Sequence, residues 1–291
     1  MTAQGRQSLI AVAAVTLLGV GLAWAGSQGG AMTSGIPVFA LVVAVSFVIQ
    51  WVVFIPSFRQ QTEHYFDLTG SGSYLVAIVL ALALSGTPDA RSLLLAVLVA
   101  VWAVRLGTFL FRRVRRTGKD SRFDELKPDF FRFLSVWTIQ GLWVSLTLAS
   151  ALAAITSTRR VGLDAFALVG AMLWVVGFGL EATADAQKGA FKADPANQGR
   201  FIRDGLWAWS RHPNYAGEIL LWVGVTIIAL PVLSGWQWVT LISPLFVTLL
   251  LTKVSGVPLL ERKADATWGG QADYEAYKAN TPVLIPRPPR R

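Results

Sequence analysis

A chain of 291 residues that is 54% hydrophobic and only 15% charged carries too few charges for an ordinary soluble domain, in which about 25% of residues are charged. The absence of cysteine excludes disulfides, a thiolate nucleophile, iron–sulfur clusters and thiolate metal sites. The net charge of +9 does not indicate a nucleic-acid partner, because the basic residues lie beside apolar segments, where anionic lipid and membrane orientation explain them.

Eight apolar segments run through the chain, at 9–25, 36–55, 74–85, 92–111, 133–155, 165–182, 216–233 and 238–254. Because about 20 residues cross the hydrocarbon core of a bilayer, they predict an all-α fold, a polytopic transmembrane bundle of seven or eight helices. The lipid bilayer is therefore the first expected partner. The third segment is short, so it is expected either to be re-entrant or to extend beyond these ends.

The basic residues are distributed unevenly between the two sides of these segments. With eight spans and a cytoplasmic N-terminus, nearly all of the 26 lysines and arginines fall on the cytoplasmic side. The opposite side holds Arg91, Arg159 and Arg160. The positive-inside rule therefore predicts that both termini are cytoplasmic.

Segment 200–218 (RFIRDGLWAWSRHPNYAGE) is a polar, basic and aromatic loop that leads directly into a span. Its arginines can pair with phosphates through two-point contacts, and the following helix would present its first amides to an anion. This composition predicts a site for a phosphorylated, aromatic cofactor at the cytoplasmic mouth of the bundle, built from Arg200, Arg203, Arg211, His212, Asn214 and Tyr215. The alternative is an interfacial aromatic belt whose arginines contact lipid.

The two histidines, His64 and His212, give no metal-ligand spacing, so no metal site is predicted. His212 can act as a general acid or base, hold its loop through a ring N–H bond, or pair with a cofactor phosphate. Neither a Rossmann nor a Walker motif is present, so any nucleotide is expected to bind without one.

Three charged residues, Arg105, Glu181 and Glu218, lie within or at the ends of apolar segments. A charge at the centre of a bilayer costs about 2.5–3.5 kcal/mol, so such residues usually face a cavity and serve a function. The alternative is that they reach toward the membrane surface.

A second polar stretch, 61–70 (QTEHYFDLTG), stands at the start of another span. Glu63 and Tyr65 are its candidate catalytic residues, because a carboxylic acid or a phenol there can place a proton donor near a substrate. The alternative is a capping and turn segment that ends at Gly70.

Segment 199–222 (GRFIRDGLWAWSRHPNYAGEILLW) closely resembles the steroid 5α-reductase C-terminal family, and in particular its bacterial branch. Segments 62–71 (TEHYFDLTGS), 102–113 (WAVRLGTFLFRR), 119–123 (KDSRF) and 258–286 resemble that branch in the same order. The likeness divides the chain into N-terminal transmembrane helices at 1–60, a reductase-like transmembrane domain at 61–287 with a cofactor loop at 183–215, and a basic tail at 288–291.

The resemblance implies an integral membrane oxidoreductase of the bacterial inner membrane, with its active site toward the cytoplasm. It implies that NADPH donates a hydride to the β-carbon of a conjugated enone in a lipid or steroid-like substrate, and that protonation completes reduction of the C=C bond. A proton donor on the carbonyl oxygen would stabilise the developing enolate.

The resemblance also assigns residues one at a time. Asn214, Tyr215 and Glu218, with Gly217, match the family's Asn-(Tyr/Phe)-x-Gly-Glu motif, whose asparagine lies near the nicotinamide. The other matches are Asp185, with an acid that contacts the cofactor, Lys192, with a phosphate-binding arginine, and Glu63, with a glutamate that contacts the steroid carbonyl.

Three positions depart from the family pattern. Trp102 occupies the position of the proton-donating tyrosine, Glu181 replaces an asparagine, and Glu261 falls where a histidine binds the cofactor. Because an indole cannot protonate an enolate, Tyr65 or a protonated Glu63 is the predicted acid.

Two other functions fit parts of the sequence. RHPNY at 211–215, followed by Glu261, Tyr274 and Tyr277, also resembles membrane methyltransferases of the isoprenylcysteine and phospholipid type, which use S-adenosylmethionine. The stretch at 62–70 and the trailing Trp222 favour the reductase. The third possibility is a non-enzymatic lipid-binding or transport protein, although neither repeat symmetry nor broken mid-membrane helices are evident.

Overall fold

The computed structural model describes residues 3–117 and 123–289, and most of them are helical. Of the segment at 119–123, only Phe123 lies within the described residues. The last two positions of the tail at 288–291 also lie outside them.

The α-helices are α1 (Ala3–Gly26), α2 (Val38–Arg59), α3 (Phe66–Leu84), α4 (Ala90–Thr117), α5 (Phe130–Thr156), α6 (Ala165–Ala193), α7 (Pro213–Ala229), α8 (Ile242–Leu249), α9 (Val257–Trp268) and α10 (Ala272–Asn280). A small antiparallel ribbon of β1 (Met32–Thr33) and β2 (Ile36–Pro37) joins α1 to α2. 3₁₀ turns lie at Pro195–Asn197, Gly205–Ala208, Leu230–Val232 and Gly235–Leu241, and a π-helical turn lies at Leu250–Val254.

Eight helical segments within the described residues are long and apolar enough to cross a membrane, which confirms the predicted polytopic all-α fold. The third is a full span of 19 residues, Phe66–Leu84. The short apolar segment at 74–85 is therefore part of a longer helix and is not re-entrant. Hydropathy missed its first turns because they carry small polar residues, two of which, Ser71 and Ser73, are buried.

The first compact unit contains Met1–Ala167 and Ile228–Ser243, and α5 is its central helix. In α5, 78% of the apolar window is buried, against 22% in α1. Helices α1, α2 and α3 all pack against it. Asp129 caps its N-terminus, since Oδ1 accepts from the amides of Phe131 and Arg132 at 3.0 Å. The continuous apolar run of α5 thus forms the core of this unit.

Arg91, at the start of α4, is fully buried in the first unit, with 1% exposure. Its guanidinium lies 2.9 Å from the Asp164 carboxylate and donates to the carbonyls of Val161, Gly162 and Ile228. A buried cation is tolerated only when paired and hydrogen-bonded. Arg91 therefore joins the start of α4 to the segment before α6 and to the chain at Ile228.

The second compact unit contains Leu168–Ile227 and Pro244–Arg291, and in it α6 and α7 pack backbone against backbone. A Cβ added at Gly217 would lie 2.5 Å from the Gly177 carbonyl oxygen, and one at Gly224 would lie 2.5 Å from that of Gly170. Small residues that permit close approach are typical of transmembrane helix pairs. Gly217, part of the NYAGE motif, thus has a packing role.

The segment at 183–215, predicted as a loop, is partly helical. Helix α6 continues to Ala193 and α7 begins at Pro213, so the connection runs only from 194 to 212. The last turns of α6 consist largely of good helix formers such as Ala, Gln and Lys, which extend the helix beyond its apolar stretch. As a consequence, Asp185 and Lys192 lie on a helix.

Candidate functional site

The second unit contains a cavity of about 630 Å³. Its wall is formed by the last turns of α6, the connection, and parts of α9 and α10. Small-molecule and cofactor sites typically have volumes of about 300–1,000 Å³. Because residues of the predicted cofactor loop supply much of its wall, this cavity is the candidate functional site.

Five basic side chains and two carboxylates line the cavity. The carboxylates are Asp194 and Glu261, and the basic residues are Lys188, Lys192, Arg200, Arg211 and Lys263. A cleft lined mainly by one sign of charge raises the local concentration of ligands of the opposite sign. The wall therefore fits a ligand that carries several negative charges.

Aromatic rings form much of the remaining wall. The ring centroid of Phe201 lies 5.8 Å from that of Trp268, 5.3 Å from Tyr274 and 5.4 Å from Tyr277. The Tyr274 phenol donates a hydrogen bond to the Asp265 carboxylate at 2.8 Å, and the Tyr277 phenol donates one to the Trp207 carbonyl at 2.7 Å. Burial raises the pKa of each phenol. At neutral pH these residues therefore offer ring surface and no charge.

The connection is anchored to α6 by short polar contacts. Asp194 ends the helix, because a residue before proline avoids the helical conformation. Gly205 has φ +60°, and a Cβ there would lie 2.6 Å from the amide nitrogen of Gln187. The Gln187 side chain in turn accepts from the Leu206 amide at 2.9 Å. A glycine is thus needed where the connection meets α6.

Trp207 fastens the connection to α6 a second time. Its indole N–H donates to the Ala184 carbonyl at 3.0 Å, and the Lys188 ammonium lies 4.2 Å from its ring centroid. A cation over an indole face is attracted by the ring quadrupole. Lys188, which no sequence motif singled out, thereby reaches the cavity wall one helical turn before Lys192.

His212 and Arg211 converge on one carboxylate, that of Glu261. His212 Nε2 lies 2.8 Å from Oε1, and Arg211 Nη2 lies 3.3 Å from Oε2. Burial lowers the pKa of His212, although the bond to Glu261 opposes this. Since an ionised carboxylate only accepts, the neutral imidazole carries its proton on Nε2. Nδ1 is then an acceptor, and it is buried without a hydrogen-bond partner among the described residues.

Asp185 and Asn214 contact each other rather than the cavity. Asn214 Nδ2 donates to Asp185 Oδ1 at 3.1 Å, while Asn214 Oδ1 is buried with no hydrogen-bond partner in the described part of the chain. Tyr215 stacks on His212, with centroids 5.6 Å apart and planes at 9°. Neither Tyr215 nor Glu218 lines the cavity. These motif residues therefore do not face the cavity.

The predicted cofactor residues divide into three groups. Arg203 is half exposed and pairs with Asp273 at 3.6 Å; both line a smaller adjoining pocket and not this cavity. Asp185, Asn214, Tyr215 and Glu218 do not line the cavity. The residues that line the cavity are Lys192, Arg200, Arg211, His212 and Glu261.

Several cavity residues were not identified from the sequence. Phe201, Trp268, Lys188 and Lys263 all contribute to the wall. The one available signal was position: Phe201 follows Arg200, and Lys263 follows Glu261 by two residues. Trp268 carries no such signal, because it is the last residue of α9 and lies seven positions beyond Glu261.

The two candidate catalytic residues lie in the first unit. Glu63 is buried, and its Oε2 accepts from the Lys127 ammonium at 2.6 Å. This hydrogen bond raises the pKa of Lys127. Glu63 is thus the anionic half of an ion pair. Tyr65, by contrast, is 47% exposed and stands just before α3. Their catalytic roles remain predictions.

A phenol lies beside Trp102, a position that the sequence resemblance had compared with a proton-donating tyrosine. Trp102 on α4 and Tyr74 on α3 are both buried, and their rings meet edge to face with centroids 5.0 Å apart. The sequence did not single out Tyr74, because this pairing depends on how α3 and α4 pack.

A family model described as "Protein of unknown function (DUF1295)" matches residues 53–281. This range includes the whole cavity wall, both candidate catalytic residues and the Trp102–Tyr74 pair. Neither the curated proteins nor the solved structures contain a significant match to the chain.

Proposed function

The chain belongs to the DUF1295 family, and we propose that it is an integral membrane oxidoreductase that uses NADPH to reduce a conjugated C=C bond, an enone, in a lipid or steroid-like substrate. The observation that carries the proposal is the basic, aromatic cavity of the second unit. The resemblance of 199–222 to steroid 5α-reductases supports the reaction type. The eight apolar helices support a substrate that is drawn from the bilayer.

The chemistry of the wall fits NADPH. Its phosphates match the basic residues, and its two ring systems match the aromatic ones. Two buried polar atoms of the wall also support a bound ligand. Arg211 Nε and His212 Nδ1 have no hydrogen-bond partner among residues 3–117 and 123–289, so each can bond to a ligand. Lys192, Arg200 and Arg211 would hold phosphates, and Phe201 and Trp268 would contact rings.

The protein's own contribution follows from these contacts. Bound NADPH supplies a hydride, while the chain supplies binding, orientation and a proton. Glu261 accepts from His212 and Arg211 together, which fixes the imidazole tautomer and holds both side chains in the wall. The imidazole is neutral at pH 7 because burial lowers the pKa of His212. His212 therefore acts as a hydrogen-bonding wall residue and adds no charge.

Reduction of an enone also requires a proton donor and a group that stabilises the enolate oxygen. Glu63 is less suited to donate a proton, because it is the anionic partner of Lys127. The accessible phenol of Tyr65 is the better candidate. A Tyr65→Phe variant that keeps full turnover would exclude this role.

The charge of the cavity argues against the methyltransferase alternative. S-adenosylmethionine carries a sulfonium and an ammonium against one carboxylate, so a wall with excess positive charge disfavours it. The same wall attracts the several negative charges of NADPH.

Cofactor binding by the detergent-purified protein tests the proposal. A ligand that binds only the folded state at about 100 times its Kd adds about 2.7 kcal/mol of stability, which a thermal shift detects. We expect a shift with NADPH that is smaller with NADH, absent with S-adenosylmethionine and strongly reduced in Arg211→Ala. A shift with S-adenosylmethionine alone would establish the methyltransferase, and no shift with any of the three would favour a non-enzymatic protein.

A further inference from the structure

The C-terminal residues 282–287, here called the clasp, run beside the connection at 209–211. The Arg211 amide donates to the Pro282 carbonyl at 2.9 Å, and the Arg287 amide donates to the Trp209 carbonyl at 2.9 Å. Both segments belong to the second unit, and neither is a strand. Their backbones are thus joined in both directions.

Ser210 closes the clasp between these two bonds. It is fully buried, and its Oγ lies 3.2 Å from the Val283 carbonyl oxygen and 2.9 Å from that of Leu284, to which the hydroxyl donates. The same Oγ accepts the amide hydrogen of His212 at 3.1 Å. One hydroxyl therefore links the clasp to the residue whose ring lines the cavity.

Helix α10 reinforces this link just before the clasp begins. The Arg211 Nη1 donates to the Lys278 carbonyl at 3.1 Å, and the Tyr277 phenol donates to the Trp207 carbonyl at 2.7 Å. The connection is therefore held on this side by hydrogen bonds with the C-terminal region, in addition to its anchors on α6. Arg211 in particular donates to this C-terminal region from both its backbone amide and its guanidinium.

Two prolines restrict the backbone of the clasp before it packs against the connection. Pro282 and Pro286 restrict the backbone to extended conformations, so little conformational entropy is lost when the segment lies against the connection. None of the clasp residues lines the cavity. Its effect on a ligand must therefore act through Arg211 and His212.

We infer that the clasp is a positioning element of the cavity and that Ser210 is the positioning residue that couples the two. The clasp holds the backbone of Arg211 and His212, so that their side chains meet Glu261 and the ligand in one arrangement. The inference rests on the proposed function only in taking NADPH as the ligand.

Two pairs of variants test the clasp. Ser210→Ala removes the linking hydroxyl, and its matched control is Ser243→Ala, which removes an equally buried hydroxyl that donates to Thr147 in the first unit. Arg287→Pro removes the backbone donor to Trp209, and Arg287→Ala keeps it. Since Arg287 is exposed, neither of its variants disturbs a core.

The first readout is hydrogen exchange at the Arg211 amide in the absence of ligand. We expect exchange to be about tenfold faster in Ser210→Ala and Arg287→Pro than in their controls, because each variant loses a bond that closes the clasp. Equal exchange within both pairs would overturn the inference. This result does not depend on any cofactor, so it separates the clasp from the proposed function.

The second readout is the NADPH dissociation constant of the full-length protein. We expect about tenfold weaker binding in Ser210→Ala and Arg287→Pro, with Ser243→Ala and Arg287→Ala unchanged. Faster exchange with unchanged NADPH affinity would show a merely structural clasp and overturn the positioning role. If the wild type does not bind NADPH, the proposed function fails, while exchange at Arg211 still decides whether the clasp holds that residue.

Discussion

Each of the two compact units contains an arginine of low exposure, Arg91 buried and Arg211 partly buried, and the two differ in how many of their hydrogen-bonding groups already have partners. Arg91 in the first unit is 1% exposed and bonds to three carbonyls and a carboxylate. Arg211 in the second unit bonds to Glu261 and the Lys278 carbonyl, while its Nε has no hydrogen-bond partner within the described residues. A fully satisfied buried charge stabilises a fold, and spare bonding capacity beside a cavity indicates a binding site.

The largest effect is expected from removing the satisfied arginine. Arg91→Met leaves buried carbonyl acceptors without donors and should destabilise the protein by about 3–5 kcal/mol, measured by thermal unfolding in detergent. Arg159→Ala, a change at a nearby exposed arginine, should have little effect. Comparable stability of the two variants would contradict the assigned role of Arg91.

The α6–α7 contact gives the next largest effect and tests what supports the cavity. A Cβ on Gly177 would lie 2.6 Å from the backbone of α7, whereas one on Gly179 has nothing within 4 Å. Gly177→Ala should therefore destabilise the protein by about 1–3 kcal/mol through overpacking. Gly179→Ala should be neutral, or stabilising by about 0.5–1 kcal/mol. The two unfolding midpoints should move in opposite directions or differ clearly, and equal midpoints would refute the close contact.

Two neighbouring basic residues on α9 test the charge of the cavity. Lys263 lines it, whereas Arg262 does not and bonds through Nε to the Pro258 carbonyl at 3.1 Å. Lys263→Ala should weaken NADPH binding by about three- to tenfold, with the difference shrinking at high salt, because surface-accessible charge is screened. Arg262→Ala should bind as the wild type does. Equal losses in both variants would mean that general surface charge, not the cavity wall, attracts the ligand.

The smallest expected effect is a pH dependence from His212. Because burial lowers the pKa of His212 in the folded protein, the unfolded chain binds the proton more readily as the pH falls through the ordinary value of about 6.5. The free energy of unfolding should therefore decrease as the pH falls below about 6.5. His212→Gln should flatten this slope, and His64→Gln, a change at the exposed histidine, should preserve it. A slope that survives in His212→Gln would assign it to other groups.

The sequence predicted the parts of the site that depend on local pattern. The basic and aromatic composition of the segment at 200–218 predicted Arg200, Arg211 and His212 as binding residues, and these residues line the cavity. It did not predict that Asn214 and Asp185 would bond to each other and not line the cavity. Nor did it predict that Glu63 would pair with Lys127, 64 positions away along the chain. Contacts between residues so far apart in the chain follow from packing, which leaves no local signal.

What the sequence alone determined is the membrane-spanning helical architecture, because hydropathy and span length are local properties that the bilayer imposes on each segment separately. What only the tertiary structure decided is which polar groups are already bonded and which retain capacity. Arg91 and Arg211 are both arginines near the end of an apolar segment, and no local pattern separates them. The acceptors around Arg91 come from two other parts of the chain, the segment at 161–164 and Ile228, while a cavity adjoins Arg211. The position of acceptors contributed by distant segments therefore distinguishes an arginine that holds the fold from one that can bind a ligand.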